Sequence, residues 1–333
     1  MSAKQMRAVA PAETENAKRQ TLSVFADNPA DPGATLLQVD KREKLSRKEF
    51  LHEYVLKNRP VVLKDAARDW KALSKWTPEF FREHYGLKKV PVFERKRAVT
   101  LKDTVLLKDY VDEISSSTFN NKAKYLFSLR IQKDFPELLK DLEPRPALWD
   151  PNWLDSRYLL PGLPGFKLRN ITGLEMNMGG TGSPFPFLHY DDLWTQTFIT
   201  QVHGRKDWVL YPPDQTPFMY PSKEADNISS IPMETDVDLT RFPLFSQAKP
   251  VRVIIEHGEM LYGAPGWWHT TRALTPSIAV VLSTANGCIW SQVTRSAFQR
   301  AWRHPKWYYK PAAFPIAGYM TAFRAVKSLT DPF

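Results

Sequence analysis

One cysteine, Cys288, stands in 333 residues, so no disulfide can form within the chain. That fits a reducing compartment, or simply low cysteine use. No apolar run approaches the roughly 20 residues that cross a bilayer. The opening stretch, MSAKQMRAVAPAETENAKRQ, lacks the apolar core of a signal peptide. The expectation is therefore a soluble, intracellular, cytoplasmic protein without membrane contact. No internal repeat is visible. Zinc-knuckle, helix-turn-helix and RNA-recognition signatures are missing, and the basic residues are scattered along the chain. Nucleic acid is thus not the expected partner, although the net charge is +10, from 46 Lys and Arg against 36 Asp and Glu. Such a balance attracts acidic partners, whether a carboxylate cosubstrate or an acidic peptide.

What the sequence does have is apolar and aromatic content, 43% and 13%, enough for a large core in one domain or two closely fused ones. Residues 1–40 are polar and aperiodic and read as a mobile tail. Order begins near Leu45. There Ser46 and Glu49 form a capping box for a helix with Phe50, Leu51, Tyr54 and Val55 on one face. Val61 to Leu63 reads as a short strand, and Thr77-Pro78 as an N-cap and first position of a helix that ends at Gly86. Val90 to Phe93 is a strand, Leu106 to Ile114 a helix, Lys124 to Phe127 a strand, and Asp134 to Leu142 a proline-containing helical piece.

From Leu168 to Thr284 the pattern changes to short strands with turn signals: Leu174 to Met178, Leu188 to Asp191, Thr197 to Val202, Trp208 to Tyr211, Val251 to Ile255, Glu259 to Tyr262 and Ile278 to Ser283. Many short strands broken by Gly and Pro argue for a sandwich or barrel. The resulting division is a tail (1–40), N-terminal α/β elements packed on the core (41–165), a β core (166–290) and a helical C-terminal extension (291–333). The polar, proline-bearing insert 218–249 is long for a loop, and its expected place is the substrate entrance.

The chemistry concentrates in FPFLHYDDLWTQTFITQVHGRKDWVLYPP, residues 185–213. It contains His189-Tyr190-Asp191, and GEMLYGAPGWWHTTRAL follows with His269, 80 residues beyond His189. In a strand, residues i and i+2 point to one face, so His189 and Asp191 can reach one ion. Two imidazoles and a carboxylate on adjacent positions of a metal leave the others open, the facial arrangement of non-haem iron(II) oxygenases. On its own, the motif is weak evidence and reads more simply as a hydrogen-bonded histidine beside a solvated acid. The other histidines, at 52, 84, 203, 257 and 304, have no partner at ligand spacing. Lys206 follows a Gly204-Arg205 turn, where a lysine can point inward beside the metal and pair with a carboxylate.

These two segments, together with PVVLKDAARDWKALSKWTPEFFREHYG (60–86) and YLFSLRIQKDFPELLKDLEPRPALW (125–149), resemble the JmjC and cupin-like 2-oxoglutarate oxygenases. That group includes factor-inhibiting asparaginyl hydroxylase and jumonji-type lysyl hydroxylases. The resemblance spans about residues 46–285 and implies a double-stranded β-helix, or jelly roll, with flanking helices. It implies Fe(II) on His189, Asp191 and His269, with 2-oxoglutarate and O2 as cosubstrates. Lys206 and Tyr125 then take the far carboxylate of 2-oxoglutarate, and Thr197 falls near a further contact position. The implied reaction is hydroxylation of a C–H bond of an amino-acid side chain in a peptide or protein, with release of succinate and CO2. Hydroxylation of an N-methyl group would appear as demethylation. The C-terminal helices of such proteins often form a homodimer.

One departure lies just before the motif. The family often places a threonine three residues before the first histidine. Here that position is Pro186, so either Ser183 or Thr181 is brought in by a bulge, or that contact is missing. Two rivals remain: a hydroxylase of a free small molecule, and a binding module without catalysis. Zinc hydrolysis is disfavoured, because no glutamate stands in a His-Glu-x-x-His arrangement.

Overall fold

The computed structural model describes residues 21–25, 38–96, 99–159, 172–223, 225–233, 236–304 and 306–331. Its strands are β1 (Thr21–Leu22), β2 (Asp40–Arg42), β3 (Val61–Leu63), β4 (Lys89–Lys96), β5 (Val99–Leu106), β6 (Leu126–Arg130) and β7 (Leu174–Gly179), followed by β8 (Gln196–His203), β9 (Lys206–Tyr211), β10 (Val237–Asp238), β11 (Val251–Ile255), β12 (Met260–Gly263), β13 (Trp268–Ala273) and β14 (Ser277–Thr284). Seven of them form one mixed sheet in the order β2-β3-β12-β8-β14-β7-β6, with β2 parallel to β3 and the other pairs antiparallel. A second sheet has the order β11-β9-β13. Single bridges widen it, from Arg272 to Pro184, from His269 to His189 and from His189 to Ile228.

Strand alternation decides what each face of the large sheet meets. On β7, Leu174, Met176 and Met178 point to a core shared with Phe50, Trp76, Phe81, Tyr110 and Leu126, as do Phe198 of β8 and Val280 of β14. The opposite face supplies Val62, Ile199, Leu261 and Ala279, which pack on Leu210 of β9 and on Val251, Val253 and Ile255 of β11. This second layer joins the two sheets and gives the cupin-like sandwich. Full burial of one such aliphatic side chain contributes roughly 1.5–3 kcal/mol. At one end of this layer the residues between the sheets turn polar, and a cavity opens there.

The helices start where local chemistry dictates. Ser46 accepts from the Glu49 amide and Glu49 reaches back to the Ser46 backbone, completing a capping box. The helix beyond it is α-helical over Arg47–Glu49 and π-helical over Phe50–Val55, burying Phe50, Tyr54 and Val55. Thr77 caps Pro78–Tyr85 by accepting from the Phe80 amide at 3.1 Å. The C-terminal helices Trp290–Trp302 and Ala313–Thr330 pack on each other and on Trp153 and Leu154, leaving Phe314 and Leu329 exposed. No helix among the described residues is long and apolar enough to cross a membrane.

Several elements differ from the sequence expectations. β13, which carries His269, lacks the alternation that would reveal it, and in β5, the partner of β4, the alternation of Val99, Leu101 and Val105 is interrupted by Asp103. Residues 188–191 make isolated bridges at His189 rather than a continuous strand. Part of the expected mobile tail is docked: Thr21 and Leu22 pair with Asp238 and Val237, and Phe25 is buried under Arg272. Residues 1–20 and 26–37 of that tail, and the 165/166 boundary, lie outside the described residues. The insert 218–249 is packed against the sheet: Met219, Ile231, Met233, Val237, Phe242 and Phe245 bury themselves against Val209, Tyr211 and Trp268.

The turn from β8 to β9 sets the register of Lys206. Gly204 has φ +69°, and a Cβ there would lie 2.2 Å from the Pro276 carbonyl oxygen. Gly204→Ala should therefore cost about 2 kcal/mol or more, read as a lower urea midpoint.

Candidate metal centre

The two histidines meet through their backbones. The His189 amide donates to the His269 carbonyl at 3.0 Å and the His269 amide to the His189 carbonyl at 2.6 Å. Their rings lie 4.3 Å apart between centroids. Each Nδ1 faces the carbonyl two residues before it, Phe187 at 3.4 Å and Trp267 at 3.0 Å. A proton on Nδ1 would fix the ring and leave Nε2 as the ligand atom. Burial, and then the neighbouring His269, push the His189 imidazole well below its ordinary value, favouring the neutral form that binds metals. One ligand atom from each of His189, Asp191 and His269 lies within 4.8 Å of the others. Two imidazole nitrogens and one carboxylate oxygen suit a divalent transition metal with open positions.

Asp191 is oriented by Thr197, whose hydroxyl donates to Oδ2 at 2.6 Å. It also opens a tight turn in which Leu193 and Trp194 take φ of 59° and 58°, uncommon for residues with a side chain. Three contacts hold that turn. Leu193, 1% exposed, belongs to the C-terminal helical core with Trp153, Ile289 and Trp290. The Trp194 ring lies over Gly266, where a Cβ would come within 2.5 Å of it. Arg300 of the helix Trp290–Trp302 pairs with Asp192.

The register of β9 against β13 puts Lys206 opposite Ala273, Trp208 opposite Thr271 and Leu210 opposite His269. Lys206, Trp208 and Leu210 thus share the inner face. Asp207 points outward, where it is buried and paired with Arg252 and Arg272. Lys206 is 1% exposed, and its Nζ donates to the Tyr125 hydroxyl at 2.6 Å. Tyr125 fits there because Gly179 of β7 has no side chain: a Cβ would lie 2.8 Å from the ring. Burial alone pushes the Lys206 ammonium down to about 7 and raises the Tyr125 hydroxyl. Among the described residues no carboxylate pairs with Lys206.

Lys206, Tyr125, Thr197, His189, Asp191 and His269 all line one cavity, of about 760 Å³ with its mouth included. Ser183 does not. Its hydroxyl donates to the Ala123 carbonyl at 2.8 Å, and the lining before the motif comes from Phe185 and Phe187 instead. That corrects the expectation for Ser183; Thr181 does not line the cavity either.

Sequence reasoning missed other lining residues. Trp208 lines the cavity, and its buried Nε1 has no hydrogen-bond partner among the described residues. Glu175 and Asn177 of β7, with Ser128, form a polar patch in the wall. Burial pushes the Glu175 carboxyl up and Asp191 adds to this, while the Ser128 hydroxyl and the Arg130 charge pull it down. The alternation in LEMNMG, polar at Glu175 and Asn177 between apolar residues, was the available signal. It was easily read as a solvated face.

A two-sheet β sandwich holding two histidines and an aspartate at one mouth is a candidate mononuclear metal site. The family described as Cupin-like domain matches residues 46–282. The chain belongs to that family, within the JmjC and cupin-like Fe(II) and 2-oxoglutarate oxygenases. It is 31% identical over 248 residues to Lysine-specific demethylase JMJ30 of Arabidopsis thaliana, covering 74% of this chain and 54% of that protein. It is 30% identical over 256 residues to Lysine-specific demethylase JMJ21 of the same plant, covering 74% and 25%. The 2-oxoglutarate and iron-dependent oxygenase JMJD4 of Gallus gallus is 24% identical over 271 residues, covering 75% and 60%. The match thus spans between a quarter and three fifths of these relatives.

The buried Leu193 ties metal affinity to the C-terminal helices. Leu193→Ala should weaken Co(II) binding about tenfold or more, read by titration of the visible absorption, while the volume-conserving Leu193→Met retains it.

Proposed function

We propose that this chain is an Fe(II)- and 2-oxoglutarate-dependent oxygenase that hydroxylates a C–H bond of an amino-acid side chain in a peptide or protein, releasing succinate and CO2. One observation carries the reading: a candidate three-ligand cluster and a buried lysine with no carboxylate partner among the described residues line the same cavity. A buried ammonium is costly unless paired, so the cavity is built for an anion at that end. Relatives named as demethylases and as an iron-dependent oxygenase support the same class.

In this reading His189, Asp191 and His269 hold the metal, and Thr197 keeps the aspartate turned toward it. Lys206 and Tyr125 take the far carboxylate of 2-oxoglutarate, the lysine as a point charge and the tyrosine as a hydrogen-bond donor. Phe185, Phe187 and Trp208 keep bulk water from the reacting carbon. Iron and 2-oxoglutarate, when bound, supply the oxidising power from O2. A hydroxylated N-methyl group would then be lost as formaldehyde, so demethylation belongs to the same chemistry.

Anaerobically purified protein given Fe(II), ascorbate, 2-oxoglutarate and O2 should form succinate, and His189→Ala should abolish it. Absence of both iron and 2-oxoglutarate binding in the wild type would replace the oxygenase with a binding module.

Lys206→Met should weaken 2-oxoglutarate binding by about 100-fold and yet raise stability by roughly 1–3 kcal/mol. The same lysine sets a pH dependence. Its value of about 7 in the free protein rises when a carboxylate pairs with it. Affinity for 2-oxoglutarate is therefore full below about pH 7 and falls as pH rises above it. Calorimetry between pH 6 and 9, a range spanning about one unit below that value to two above, would detect the fall. A flat profile would remove Lys206 from the anion site.

A further inference from the structure

We propose that the exposed face of the C-terminal helices docks on a bilayer surface containing anionic phospholipid. The apolar stripe of the helix Ala313–Thr330 enters the headgroup boundary, and the groove beside it takes lipid phosphate. This docking is independent of the oxygenase reading.

Three observations carry this. First, Ala313–Thr330 is apolar on both sides. Ala313, Ile316, Met320 and Phe323 are buried in the core shared with the helix Trp290–Trp302. The other side carries Phe314, Gly318, Ala322, Ala325 and Leu329, all exposed, at the i, i+4, i+8, i+11 and i+15 spacing of one stripe. Phe314 is 62% and Leu329 86% exposed. Half-exposed Trp302 extends the stripe: its ring and that of Phe298 lie 5.9 and 5.5 Å from the Phe314 ring. A helix that is apolar all round calls for cover on both sides.

Second, the charge here has one sign. Between Trp290 and Thr330 the chain has seven Lys and Arg and no Asp or Glu, so this stretch supplies most of the net +10. Arg300 and Arg303 are paired with Asp192 and Asp226 from other parts of the chain, and Lys327 with Asp331. Arg295, Lys310 and Arg324 have no carboxylate partner among the described residues. A second copy would bring a like-charged face against this one, with no acid in the stretch to pair. Nucleic acid would use the cations but gain little from Ala322, Ala325 and Leu329. A bilayer surface with acidic headgroups uses both features.

Third, a groove adjoins the stripe. Arg295 and Phe298 of one helix and Ala317, Thr321 and Arg324 of the other line it, and it holds about 680 Å³ with its open side included. Thr321 and Arg324 stand within a turn of Gly318 and Ala325 of the stripe. Two guanidiniums at the edge of an apolar face suit a phosphate headgroup whose acyl chains continue past that face. The expectation of no membrane contact rests on the lack of a spanning segment and a signal peptide, and docking in the interface plane needs neither.

The test is cosedimentation of the full chain with vesicles of phosphatidylcholine alone and with vesicles of which about a third is phosphatidylserine. Binding to the anionic vesicles should be at least about tenfold tighter and should weaken as salt rises. Arg295→Gln and Arg324→Gln should each cost about fivefold on anionic vesicles. Leu329→Gln, which removes apolar surface and no charge, should cost about tenfold. Equal affinity for neutral and anionic vesicles, binding to neither, or affinity that survives in folded Leu329→Gln would overturn the proposal. So would a dimer in sedimentation equilibrium that Leu329→Gln dissociates, since a second copy would then cover the stripe. An oligothymidylate bound as tightly as the anionic vesicles would overturn it too, because the surface would then have no preference for lipid.

Discussion

The reciprocal backbone pairing of His189 and His269 is the constraint on which the site depends. These residues are 80 positions apart, and two amide-to-carbonyl hydrogen bonds hold them side by side. Because that pairing continues the small sheet through β13 to β9, it also fixes Lys206, Trp208 and Leu210 on the inner face. A slip of one residue would turn Asp207 inward and Lys206 outward. The ion pairs of Asp207 with Arg252 and Arg272 on the outer face oppose such a slip. His189, His269 and Lys206 are thus placed by a single register.

Around that register the protein spends stability on polar groups at one end of the sandwich. An apolar layer joins the sheets elsewhere, whereas Lys206, Glu175, Thr197 and Asn177 stand at the cavity. Opposite charges sit in separate parts of its lining: a buried ammonium against Tyr125, and a carboxylate on β7. The net charge of +10 acts over the whole surface and draws acidic molecules generally.

The C-terminal helices and the insert are tied to the same place. Leu193 reaches from the metal loop into the helical core, and Arg300 pairs with Asp192 beside it. The insert covers the outer face of β9 with Met219, Ile231 and Phe245. Elements remote in sequence therefore help to hold Asp191 and Lys206, which explains why the turn after Asp191 tolerates two residues in the left-handed region.

Local chemistry was legible from the sequence because it needs only neighbours. The caps at Ser46 and Thr77, the alternating strands, the His-x-Asp pair and the turn before Lys206 all lie within a few residues of their cause. Several spaced motifs together also pointed to the family. Other features were decided by contacts no local pattern encodes. Ser183 is equipped to hold a ligand, but the carbonyl of Ala123 takes its hydroxyl. Tyr125 reaches Lys206 only because Gly179, on another strand, leaves room for its ring. Glu175 reads as a solvent-facing residue until β14 and β6 flank its strand and turn that face toward the cavity. Side-chain direction along a strand follows from the pleat, which the sequence carries; whether that direction is solvent or a closed site depends on which surface packs opposite, and only the tertiary structure decides it.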